Sequence, residues 1–153
     1  VGDGPVRNEL LAHARSLGIS DRVTITGVIA RDQVMNYIAA FDVALQPEVV
    51  EYASPLKLFE YLALGCAIVA PDTPNLLEVL DDGENALLFR HGDPGSFAAA
   101  VERVCLDSGL RAHLSEGAAR TIARRGLTWE NNARRVVGLF ENLGVKNRPD
   151  SGK

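Results

Sequence analysis

Cysteines, aromatic residues and long apolar runs are all scarce in this 153-residue chain, which has two cysteines, one tryptophan, one methionine and 6% aromatic residues. Cys66 and Cys105 each sit inside an apolar run, so they read as reduced core thiols and not as a disulfide or a metal pair. Reduced thiols point to a cytoplasmic setting. No stretch approaches the roughly 20 apolar residues of a membrane span, and no secretory signal opens the chain. An excess of positive charge is missing too. The net charge of −4 excludes a surface built as a whole for nucleic acid, because neutralising phosphates takes a clustered excess of Lys and Arg. His13, His91 and His113 show no ligand spacing, and Asp81-Asp82-Gly83 reads as a turn, so neither a metal nor a resident cofactor is expected. What is present, 46% apolar and 24% charged residues, is the composition of a globular domain.

Along the chain, helical periodicity alternates with short β-branched runs, the signature of βα units wound on a parallel sheet. Helices are expected at about Pro5–Leu17, Asp32–Phe41, after Ser54, and near Asn75–Leu80. Strands are expected at "RVTITG", "DVALQP", "AIVAP" and "ALLFR", with "DVALQP" an inner one, and three helices close the chain. Asp93 before Pro94, and Thr128 before "WENNARR", have the chemistry of helix N-caps. Phe97, Val101, Val104 and Cys105 form one apolar stripe, and Leu110, Leu114 and Ile122 another. These readings give one domain over residues 1–145 and a disordered tail over 146–153. A chain that opens on Val1, inside what reads as a strand end, looks like part of a longer protein.

Two stretches have the chemistry of a ligand site. "VGDGPVR" is a glycine turn leading into a helix, where backbone N–H groups and the helix dipole can face a phosphate. As a dinucleotide fingerprint it is incomplete, since Arg7 holds the third glycine position. Taken alone it is either a tight turn or a ligand-facing one. In "SPLKLFEYLALGCAIVAP", Ser54 suits an N-cap, Pro55 the first helical position and Gly65 the residue past the last turn. Leu56, Lys57 and Leu58 then carry free N–H groups in the first turn, where an anion is stabilised. Lys57 and Glu60 lie three apart on one face, as a solvated pair or as a polar site. The helix follows "DVALQP", and ligands of open α/β sheets bind beyond the carboxyl ends of the strands. A carboxylate placed there can accept hydrogen bonds from vicinal ribose hydroxyls.

The run from "VGDGP" through "ITGVIARDQVMNYIAAFDVALQPEVVEYASPLKLFEYLALGCAIVAPDTPNLLEVLDDGENALLF" to "GD" and "TWEN" resembles the C-terminal domain of retaining glycosyltransferases of group 1. The resemblance implies GT-B architecture, two facing Rossmann-like domains, of which this chain is the C-terminal, nucleotide-sugar-binding half. It implies transfer of a sugar from a nucleoside diphosphate such as UDP or GDP to an acceptor, with retention. By position, Glu60 matches the second glutamate of the family's E-x7-E motif, which holds the ribose. Leu56, Lys57 and Leu58 match the segment whose amides approach the diphosphate, with Ser54 counted in the same set. Gly27 and Val28 match a turn lining the base, Gly2 and Gly4 the glycine turn under the nucleotide, and Glu78 a structural acid.

The motif departs from the family pattern at Tyr52, where the first glutamate belongs, with Glu51 beside it and Glu48 near. That departure keeps a non-catalytic nucleotide-binding or interaction module open as an alternative, beside an epimerase or phosphorylase of the same architecture. The resemblance implies the full-length chain's own N-terminal domain as partner, holding most of the acceptor and catalytic groups. The arginines of the last helices form a solvated face, or touch an anionic membrane at its inner surface or a partner domain.

Overall fold

The computed structural model describes residues 1–47 and 56–143. They form two compact units, one spanning Val1–Asp42 and one beginning at Val43. The first unit carries helices α1 (Arg7–Ser16) and α2 (Arg31–Ala39), with a 3-10 turn at Ser20–Arg22 between them. Among its described residues only Ala14 and Ile38 are buried. The expected strand at "RVTITG" is absent: a single antiparallel bridge, Gly2 to Gly27, is the pairing found there. A β-branched run becomes a strand only beside a partner that completes its hydrogen bonds.

The second unit holds a parallel sheet in the order β1-β2-β3, made of Val43–Leu45, Ala67–Pro71 and Leu87–Phe89. Ala44 stands opposite Ile68, and Ala70 opposite Leu88. All five residues of β2 are buried, as expected of a strand covered on both faces. Among the described strands the centre is therefore β2, while β1, expected as an inner strand, lies at the edge.

Helices α3 (Leu56–Ala63), α5 (Pro94–Leu106) and α6 (Ser108–Arg125) pack on this sheet, and α4 (Pro74–Leu77) follows β2. Helix α3 buries Leu58, Tyr61 and Leu62, each side chain contributing about 1.5–3 kcal/mol of burial. It ends in the turn expected of Gly65, which adopts φ +65°. The Gly65 N–H donates to the Leu62 carbonyl and the Cys66 N–H to that of Tyr61, so the last carbonyls are satisfied.

Asp93 and Thr128 cap α5 and α7 (Trp129–Asn142) as expected, accepting from the N–H groups of Ser96 and Asn131. The stripe on α5 is narrower than its sequence suggested. Ala100 and Val104 take the buried line, four residues apart, whereas Cys105, a further 100° round the helix, is exposed. Only Cys66 is a core thiol.

Candidate functional site

Parallel pairing of β1 and β2 puts the carboxyl ends of the strands and the first turn of α3 on one edge of the sheet. Gln46 and Pro47 follow β1, Asp72 and Thr73 follow β2, and Arg90 and His91 follow β3. Polar contacts bind these ends together. The Gln46 N–H donates to the Val69 carbonyl at 2.9 Å, and the Asp72 N–H to that of Phe89 at 2.9 Å. Asp72 Oδ1 accepts from the His91 N–H at 2.7 Å. A cleft of about 280 Å³ opens here, lined by Pro47, Phe89, His91, Asp93 and Phe97 among others, with Phe89 and Phe97 edge to face at 5.1 Å.

Of the residues read as a site, Leu56, Lys57, Leu58 and Glu60 all lie on α3. Leu58 is a core residue, 1% exposed, so only its backbone can serve a ligand. Lys57 is exposed and Glu60 half-buried. Neither makes an ion pair, with the other or with any described residue. A partly desolvated carboxylate without a cation is costly unless something else satisfies it. Burial raises the pKa of the neighbouring Tyr61 phenol, with negative charge on Cys66 and Glu60 adding to the effect. Burial likewise raises that of the Cys66 thiol. Ser54 lies outside the described residues, as do Tyr52, Glu51 and Glu48.

The glycine turn lies in the first unit. Gly2 and Gly27 meet in their bridge with φ of +122° and +72°, values that L side chains rarely adopt. The Gly2 N–H donates to Thr26 Oγ1 at 3.0 Å, while the Gly4 N–H donates to Asp3 Oδ1 at 2.8 Å. A hollow of about 290 Å³ is lined by this turn together with Arg7, Thr24 and Ile25. Val28 is almost fully exposed.

A larger apolar cleft, about 570 Å³, lies between Leu56 and Phe59 of α3 and Leu127, Thr128, Trp129 and Asn132 at the start of α7. Nothing in the sequence pattern singled it out. Two further polar groups escaped the sequence reading because they sit in segments that read as turn and helix. Asn85 Nδ2 donates to the Val79 carbonyl and to Thr121 Oγ1, and both residues are fully buried. Most of the late arginines have partners within the chain: Arg111 donates to the Val104 and Cys105 carbonyls, and Arg124 and Arg125 to Asp81. No helix among the described residues is long and apolar enough to cross a membrane.

The chain is 31% identical over 139 residues to the D-inositol 3-phosphate glycosyltransferase of Acidothermus cellulolyticus, covering 91% of this chain and 30% of that protein. It thus spans about a third of the length of the curated relatives it matches. In fold it is similar to the Anabaena protein HepE solved with UDP (TM-score 0.76, 19% identity), covering 88% of this chain and 36% of that one. It is also similar to the C-terminal domain of a group 1 glycosyl transferase from Francisella tularensis (TM-score 0.68, 20% identity), covering 77% of this chain and 60% of that one. The parallel sheet flanked by helices is the fold of these GT-B neighbours. The family described as "Glycosyl transferases group 1" matches residues 1–107, from the glycine turn through the whole sheet, and the chain belongs to that family.

Proposed function

We propose that this chain is the donor-binding domain of a retaining glycosyltransferase, taking a nucleoside diphosphate sugar whose sugar goes to an acceptor held by the rest of a longer protein. The observation that carries the reading is Glu60, a half-buried carboxylate with no cation partner among the described residues, one turn into a helix that starts at the ligand edge of the sheet. Vicinal ribose hydroxyls would supply the two donors it lacks. One turn earlier, the N–H groups of Leu56, Lys57 and Leu58 and the Lys57 ammonium form a positive field. The diphosphate gathers negative charge as the glycosidic bond breaks, and fixed positive groups stabilise that charge where it forms.

Supporting this reading are the UDP held by the Anabaena neighbour and the C-terminal position of the Francisella domain. Ser54 would join the diphosphate set. The acceptor site and most catalytic groups would lie in the remaining two thirds of a protein as long as the relatives.

Calorimetric titration of UDP, GDP and ADP into wild type and Glu60→Ala tests the reading. One nucleotide should bind weakly to the wild type, and the variant should lose about tenfold or more, the worth of hydrogen bonds to a charged acceptor. Absence of binding at millimolar nucleotide would overturn the donor-site assignment, and equal binding by the variant would remove Glu60 from the ribose.

A further inference from the structure

Among the described residues, four helix starts carry a side chain suited to capping, and three of them use it: Asp93, Asp107 and Thr128 each accept from a backbone N–H of the helix that follows. Thr73, before α4, does not. Its carbonyl, not its hydroxyl, takes the N–H groups of Leu76 and Leu77, each at 3.0 Å. The residue is 2% exposed and its Oγ1 has no hydrogen-bond partner among the described residues. A buried hydroxyl left unpaired is destabilising, and a methyl group in its place would be cheaper.

The place of this residue in the fold supplies a use for it. Thr73 follows the central strand β2, on the edge that also presents the first turn of α3 with Lys57, and Gln46, equally buried, follows the neighbouring strand. The first-turn amides and the lysine make that edge favourable to an anion. A threonine hydroxyl donates one hydrogen bond, and a phosphate oxygen accepts it. Because the hydroxyl is already shut off from water, the contact sacrifices no solvent bond once the side chains over it shift aside.

We infer that Thr73 is a further donor-site residue whose hydroxyl hydrogen-bonds the diphosphate of the nucleotide. The inference rests on the donor-binding reading above and adds to it a residue of the sheet itself. UDP, GDP and ADP, each beside its monophosphate, are titrated into wild type, Glu60→Ala, Thr73→Val and Thr73→Ser. Thr73→Val should weaken the diphosphate that wild type binds by about tenfold, leave the monophosphate within about twofold, and melt no lower than wild type. Thr73→Ser, which restores the hydroxyl, should recover the diphosphate. If Thr73→Val binds the diphosphate as wild type does, or loses both nucleotides equally, Thr73 makes no diphosphate contact, and the donor reading survives on Glu60→Ala. If wild type binds none of the three diphosphates at millimolar concentration, that reading falls and takes Thr73 with it.

Discussion

Helices α6 and α7 follow one another in sequence, α7 with the more marked apolar stripe, and the structure treats them in opposite ways. In α6, Leu114, Ala118 and Thr121, spaced at i, i+4 and i+7, are all fully buried. In α7 the stripe of Trp129, Val136 and Phe140, continued by Leu143 just past the helix and spaced at i, i+7, i+11 and i+14, is exposed by 84%, 51%, 56% and 77%, and none of the helix's residues is buried. Periodicity states that a face needs cover; it does not state what covers it. The cover of α6 is α3 and β2, while α7 touches little of the described chain beyond the cleft at Trp129.

A glycine in the middle of each helix puts the contrast to its hardest test. Alanine has the better helix propensity by about 1 kcal/mol, so in an isolated helix both changes would stabilise. At Gly117 the sign should invert. A β-carbon there would overlap the Glu84 carbonyl oxygen and stand 2.8 Å from its carbon and 3.2 Å from Asn85 Cα. All three are backbone atoms of the turn that Asn85 and Thr121 tie to α6. Gly117→Ala should therefore cost about 4 kcal/mol or more, among the largest single-residue effects, and lower the chemical-denaturation midpoint accordingly. Unchanged stability would mean that α6 is packed less closely on that turn than described. Next in size, Leu114→Ala should cost about 3 kcal/mol from the cavity it leaves beneath the sheet, read from the same denaturation curves. A loss below about 1 kcal/mol would place Leu114 on a face no better covered than that of α7.

The same contrast explains what could be read from the residues alone. Parallel βα order, the caps at Asp93 and Thr128 and the turn at Gly65 are local, written in neighbours a few positions apart, and the structure holds them. The strand expected at "RVTITG" and the core position expected of Cys105 depended on partners distant in sequence, and both were misread. For the candidate site, "SPLKLFE" carried the signal for Lys57 and Glu60, because the helix start and the sheet edge follow from chain order. That Glu60 has no cation among the described residues, that Thr73 leaves its own helix uncapped, and that Asn85 reaches Thr121 across 36 residues are facts of tertiary packing. No spacing rule encodes them.

The smallest effect is the most telling about α7. Around Gly138 a β-carbon would find nothing within 4 Å, so Gly138→Ala should add about 0.5–1 kcal/mol by removing backbone freedom from the unfolded chain. The expected result is a small rise in the denaturation midpoint, opposite in sign to Gly117→Ala. It also isolates propensity from packing, since α7 buries no side chain that the new methyl could disturb. A loss of stability instead would show that in solution another surface lies against Gly138, closely enough that a methyl group cannot fit. The two glycines would then report the same thing, a helix face in contact, and the contrast between α6 and α7 would be one of partner and not of packing.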